Sequence, residues 1–97
     1  MSKHQQYYQQ MIDENSKEFK QFMDLHDKYV RDPKAHQIEY NTIGEKIVTI
    51  IRDWERRLCS QSERGQYGKF SAVLADKFWA LVRADFSKID FVGVTTS

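Results

Sequence analysis

Apolar residues recur at steps of three and four along most of this chain. In the first third they are Tyr8, Met11, Ile12, Phe19, Phe22, Met23, Tyr29 and Val30. Such steps lay one stripe along one side of a helix, and they predict a helix over residues 3–30. Ser2 and Gln5 stand at the spacing of a capping box, in which hydroxyl and amide satisfy the open backbone donors of a helix start. Asn15 and His26 interrupt the stripe. A polar residue in an apolar seam fixes register or partner number at some cost in stability, and Asn15 reads that way.

Asp32-Pro33 then breaks the pattern. Proline disfavours the α conformation in the residue before it, yet it suits the first position of a helix. The step therefore predicts a hairpin, with Asp32 capping a second helix over residues 33–62. The second stripe is His36, Tyr40, Ile43, Ile47, Ile50, Ile51, Trp54 and Leu58. Gly44, Val48 and Cys59 widen it on one flank, and Gly44 permits close approach of a neighbour. Ile38 falls off the stripe, and Thr42 with Glu45 repeats the capping-box spacing. Regular helix thus starts at either Pro33 or Thr42. The stretch SQSERGQYGKF reads as a turn in which Gly65 or Gly68 ends the helix. A third helix over residues 69–86 follows, with Phe70, Leu74, Phe78, Leu81 and Val82 inward and Trp79 and Phe86 on the edge. The tail, residues 87–97, carries Ile89, Phe91, Val92 and Val94, too apolar for a solvated terminus.

The expected fold is all-α: one domain over residues 1–97, a three-helix bundle of a long antiparallel hairpin plus a shorter third helix. The apolar tail packs on the bundle or on a partner. At about 1.5 Å per residue the first two helices span roughly 40–45 Å and the third roughly 27 Å. The bend end of the hairpin is then left uncovered, with Phe22, Met23, Tyr29, Tyr40 and Ile43 exposed unless the tail or a second chain lies over them. Exposed apolar surface of that kind marks an interaction site. Trp79, Phe86 and Phe91 form a second candidate surface.

Composition narrows the picture. Apolar residues are 40% and aromatic residues 13% of the 97, which excludes a disordered chain. Four glycines and one proline argue against a turn-rich β domain. No apolar run reaches the roughly 18 residues of a membrane span, and the opening MSKHQQYYQQ lacks a signal-peptide core. Cys59 is the one cysteine, so the expectation is a reducing, cytoplasmic setting without an internal disulfide.

Candidate chemistry is sparse. His26 and His36 flank the Asp-Pro step on either side, with Asp27, Asp32 and Glu39 close in sequence. They are the metal candidates, although His-x9-His matches no established ligand spacing. The alternatives are two imidazoles hydrogen-bonded within the hairpin end, or a pH-sensitive interface in which both become cationic below about pH 6.5. Arg52, Arg56, Arg57, Arg64 and Lys69 form a basic cluster near the second turn, with Trp54 and Tyr67 nearby. Asp53, Glu55 and Glu63 lie among them, in spacings that pair Asp53 with Arg57 and Glu55 with Arg52. With 15 basic and 14 acidic residues, the chain lacks the positive excess of most nucleic-acid binders. Cys59 has no positioned base, the serines lack a nucleophile turn, and GQYG is no phosphate loop. Neither an enzyme nor a cofactor is expected. The expected function is a small helical protein–protein interaction module, self-associating as a dimer or binding another protein as scaffold, adaptor or regulator. The alternative is a nucleic-acid-binding accessory protein using the basic cluster.

Overall fold

A computed structural model of the chain describes residues 2–62 and 68–93, with side chains at 2–60 and 72–93. Gly65, Tyr67, Arg64 and Val94, and the side chains of Lys69 and Phe70, lie outside the described residues. The described chain is all-helical: α1 (Lys3–Glu14), α2 (Ser16–Arg31), α3 (Pro33–Ser62) and α4 (Gly68–Asp85), then a 3-10 turn at Ile89–Phe91. The described residues thus contain four helices where the pattern predicts three.

The extra boundary is at Asn15. Its Nδ2 donates to the Met11 carbonyl at 3.0 Å, and its own backbone N–H reaches the same oxygen at 3.1 Å. The backbone there leaves the helical region, at φ −123° and ψ 35°. A short amide side chain that bonds a nearby carbonyl competes with the helical ladder. Asn15 therefore acts as a joint and not as a register-setting residue inside a seam.

The other ends follow local chemistry. At the start of α1 the Ser2 hydroxyl accepts from the Gln5 N–H, and the Gln5 side chain accepts from the Ser2 N–H at 3.0 Å. Lys28 and Arg31 occupy the last turn of α2, where a helix dipole favours positive charge. Asp32 Oδ1 accepts from the Ala35 N–H at 3.4 Å, and α3 begins at Pro33. Thr42 is interior to that helix, its hydroxyl donating to the Ile38 carbonyl four residues back at 3.0 Å. Ile38 is 85% exposed, as its place off the stripe predicts.

The antiparallel pair α2–α3 forms the widest contact, and α1 and α4 pack on α3 and on each other. The core runs from Met11, Leu58 and Phe78 at one end to Phe22, Tyr40 and Phe86 at the other. Tyr8 ties α1 to α4 by donating to Asp85 Oδ2 at 2.6 Å. Past α4 the chain turns back over the bend end of the hairpin, and Phe86 and Ile89 are buried there. The tail of the same chain therefore covers the bend.

This placement corrects the expected association surface. Phe22 and Tyr40 are fully buried, and Tyr29 and Phe86 nearly so, all within one chain. They belong to the core because the tail supplies the cover that α4 is too short to give. Met23, Ile43 and Trp79 are half-buried, and Phe91 is 44% exposed.

Candidate functional site

The end of the molecule around the bend concentrates its polar machinery. There α2 and α3 present a groove, and residues 86–93 lie in it as a clasp. Hydrogen bonds from four side chains hold the clasp's backbone. His26 Nε2 accepts from the Lys88 N–H at 3.1 Å. The Tyr40 hydroxyl donates to the Lys88 carbonyl at 2.6 Å. Gln37 Nε2 donates to the Phe91 carbonyl at 3.3 Å, and Asn41 Oδ1 accepts from the Gly93 N–H at 2.7 Å. Gln37 also takes the Tyr29 hydroxyl hydrogen at 2.7 Å and donates to Asn41 at 2.7 Å. The bonds to Lys88 form one group and those centred on Gln37 another, and the Phe91 N–H joins them by donating to the Lys88 carbonyl at 3.0 Å.

Apolar contacts back the network. Tyr29 and Tyr40 stack at 3.9 Å, and the Phe22 ring lies 5.3 Å from both Tyr40 and Phe86. Val92 closes against α3 at Gly44, where an added Cβ would meet its methyl carbons at 2.6 and 2.9 Å. The close approach predicted for Gly44 is therefore made by the tail. Gly93 takes φ +88°, a backbone region that glycine enters without steric cost.

Electrostatics follow from burial. His26 is 5% exposed, and burial holds its pKa below the usual histidine value; the Asp27 carboxylate opposes this and the Lys88 ammonium adds to it. An accepting Nε2 puts the neutral ring's proton on Nδ1. Among the described residues Nδ1 has no hydrogen-bond partner, and the Asp27 carboxylate stands 4.0 Å away. Burial, followed by the neighbouring Tyr29 and Asp90, pushes the Tyr40 phenol above the usual tyrosine range.

The sequence's metal candidates have separate roles. His26 spends Nε2 on the clasp, while His36 is half-exposed on α3. Among the described residues no group of three or more His, Cys, Asp or Glu side chains is arranged to hold a metal. In the basic cluster Arg57 pairs with Asp53 at 2.8 Å and lies over the Trp54 ring at 4.8 Å. Trp54 is only 6% exposed. Arg52 and Arg56 are exposed. Glu55 receives the Trp79 indole N–H, and Arg83 covers that ring at 5.6 Å while pairing with Asp90.

Gln37, Asn41 and Leu25 carry no mark in the sequence pattern as read above, yet Gln37 and Leu25 are buried. Gln37 has a legible signal: residues 37, 40, 44, 47, 51, 54 and 58 form an unbroken helical stripe. A glutamine on such a stripe must find partners inside the fold. No described helix is long and apolar enough to cross a membrane. No protein-family model, curated protein or solved structure matches the chain.

Proposed function

We propose that the protein is a self-associating helical interaction module whose docking surface is the bend end. The observation that supports this is the distribution of exposed apolar side chains. Among the described residues the large exposed apolar side chains are Val30 at 48%, Ile38 at 85%, Val73 at 49% and Phe91 at 44%. All but Val73 lie within about two helical turns of Asp32 or on the clasp beside Gln37. Among the described residues the exposed apolar side chains therefore gather toward the bend end, on Val30, Ile38 and Phe91 in place of the buried rings. Half-buried Met23 and Ile43 extend it.

A second copy of the chain is the fitting occupant. Lys28, Arg31 and Lys34 are interspersed with Asp24, Asp27, Asp32 and Glu39 along the same segment. A two-fold interface meets its own surface, so mixed charge supplies complementarity to itself. In this reading α1 and α2 act as one jointed rod, α3 as the second and α4 as the short third, a hairpin-plus-one bundle working as a cytoplasmic dimer. Light scattering across micromolar concentrations tests it. Wild type should give two chains per particle and Ile38→Glu one chain, because Ile38 contributes almost nothing to the monomer's core. A monomeric wild type, or a dimer indifferent to Ile38→Glu, removes the reading.

The nucleic-acid reading draws support from the exposed Arg52 and Arg56, with Arg56 lining two clefts that Trp54 also lines. The Arg57–Asp53 pair and the covered Trp54 weigh against it. Binding to a short oligonucleotide that weakens steeply with salt would favour this reading.

A further inference from the structure

We propose that residues 86–93 form a pH-gated clasp, held shut by neutral His26 and released when that imidazole gains a proton. The proposal concerns contacts within one chain and does not rest on the self-association reading, although Phe91 of the clasp also belongs to the docking surface proposed there.

The geometry carries it. The Lys88 N–H points at His26 Nε2 from 3.1 Å. A proton on Nε2 makes that atom a donor, and two N–H groups then face each other where one hydrogen bond stood. Turning the ring would not settle the conflict, because in the cation both ring nitrogens carry a proton. The ring lies among Phe22, Tyr40 and Phe86, with centroids 6.3, 6.3 and 5.9 Å away. Its other nitrogen is already a buried N–H without a hydrogen-bond partner. A charged ring there would hold two unsatisfied donors in an aromatic pocket, an expensive state. Lifting the clasp exposes the ring to water and removes the opposing N–H.

Groups from three elements face His26. Asp27, on α2 itself, favours the cation but is exposed and 4.0 Å away. The clasp brings the Phe86 ring and the Lys88 ammonium, which disfavours the cation. The side that α3 presents is the Tyr40 hydroxyl, neutral near pH 7 and engaged with the Lys88 carbonyl. Of these groups Asp27 alone opposes the gate, and solvent screens it.

Linkage sets the size and sign. In the open clasp His26 returns to its ordinary value of about 6.5, and the closed form binds its proton later. The open-to-closed ratio then rises as pH falls, by at most about tenfold at pH 5.5 and thirtyfold at pH 5, and levels off once the closed form also protonates. Clasp stability is thus full above about pH 6.5 and lost as pH falls. Opening also uncovers Phe22 and Tyr40, so acid would bare an aromatic groove between α2 and α3.

Amide hydrogen exchange on the full chain, corrected for intrinsic rates, tests the gate. Protection of Lys88, Ile89, Phe91 and Val92 should fall progressively below about pH 6.5, by up to about tenfold at pH 5.5 and thirtyfold at pH 5, while Ile47 and Ile51 on α3 keep theirs. In His26→Gln, whose amide oxygen accepts the N–H but does not titrate, clasp protection should be level with pH. His36→Gln should behave as wild type. Wild-type clasp protection that stays level, a Gln variant that keeps the slope, or α3 amides that fall in step would each overturn the proposal. Should His26→Gln not fold, NMR titration of wild type decides: the His26 ring nitrogens and the Lys88 amide must share one midpoint, and separate midpoints refute the gate.

Discussion

Replacing Gly44 by alanine would put a Cβ atom 2.6 Å from Val92 Cγ2 and 2.9 Å from Cγ1. Carbon atoms rest about 3.5–4.0 Å apart, so Val92 must retreat by about 1 Å. It cannot do so alone. Valine is stiff about χ1, its N–H is bonded to the Ile89 carbonyl at 3.2 Å, and Gly93 beside it is bonded to Asn41. The clasp has to move as a segment. That loses the burial of a half-covered valine, about 1 kcal/mol, and strains the bonds to Gln37 and Asn41, each about 0.5–1.5 kcal/mol. Local opening therefore becomes easier by about 1–3 kcal/mol, roughly a 5- to 150-fold loss of protection at Ile89, Phe91 and Val92. Alanine in a helix interior meanwhile gains about 1 kcal/mol over glycine. Global stability should hence fall by no more than about 2 kcal/mol, less than the clasp itself loses. Val92→Ala removes both offending methyls and leaves a Cβ at 3.3 Å, so the double variant should recover part of the lost protection. The expected coupling is about 0.5–3 kcal/mol. Unchanged clasp exchange in Gly44→Ala, or strictly additive effects in the double variant, would refute the reasoning.

Other substitutions probe the network and the joint. Gln37→Leu leaves the Tyr29 hydroxyl and the Phe91 carbonyl without a bond each makes now; it should cost about 1–3 kcal/mol in a urea melt, and a neutral result would mean the network is not tight. Tyr8→Phe removes the tie to Asp85 and should cost about 1–2 kcal/mol in the same melt, since the bond is charge-assisted but partly solvated; no change would mean the tie is idle. Burial, then the Asp85 contact, raises the pKa of the Tyr8 phenol, and burial likewise raises that of Tyr40. Both phenols thus resist ionisation in the folded chain, so stability should hold below about pH 10 and fall as pH rises beyond it; urea midpoints that stay level from about pH 9 to pH 11 would contradict that sign. Asn15→Ala deletes the side chain that bonds the Met11 carbonyl and should deepen the helical circular-dichroism signal as α1 and α2 merge. An unchanged signal would mean that packing, and not Asn15, imposes the joint.

The helical nature of the chain and the break at Asp32-Pro33 are legible in the sequence because each rests on local chemistry: apolar steps of three and four, and a proline with its cap. What is not legible depends on phase and on partners. The apolar steps put Val30 in the first stripe, yet it lies one residue, or about 100°, past the buried Tyr29. They open the second stripe at His36, while its neighbour Gln37 is the buried one. Both errors flank the bend, where a fresh helix start resets the phase and a few residues cannot fix it. The joint at Asn15 is invisible for a different reason, since the same residue can sit in a seam or bond its own backbone. The cover of the bend stays open between tail and second chain, because an apolar tail says that it will be buried but not against what. The fit of Val92 to Gly44 decides that, and it is a tertiary fact.

The clasp also explains why polar side chains interrupt otherwise apolar helix faces at this end. About 45 Å of α3 faces about 27 Å of α4, leaving roughly 18 Å to cover. About seven more helical residues would reach only about 10 Å, whereas a less regular segment of the same length can span the gap. Irregular backbone has a consequence that helix does not: its carbonyls and N–H groups have few partners of their own, and burying them unpaired is costly. The Lys88 N–H and carbonyl, the Phe91 carbonyl and the Gly93 N–H therefore take partners from His26, Tyr40, Gln37 and Asn41. The cover, with a 3-10 turn of its own, is thus tied to the bundle by side chains, one of them an imidazole, and the helices are held by their own backbones. A change of pH near neutrality can act on the first without reaching the second, which is why the short α4 and the position of His26 belong to the same argument.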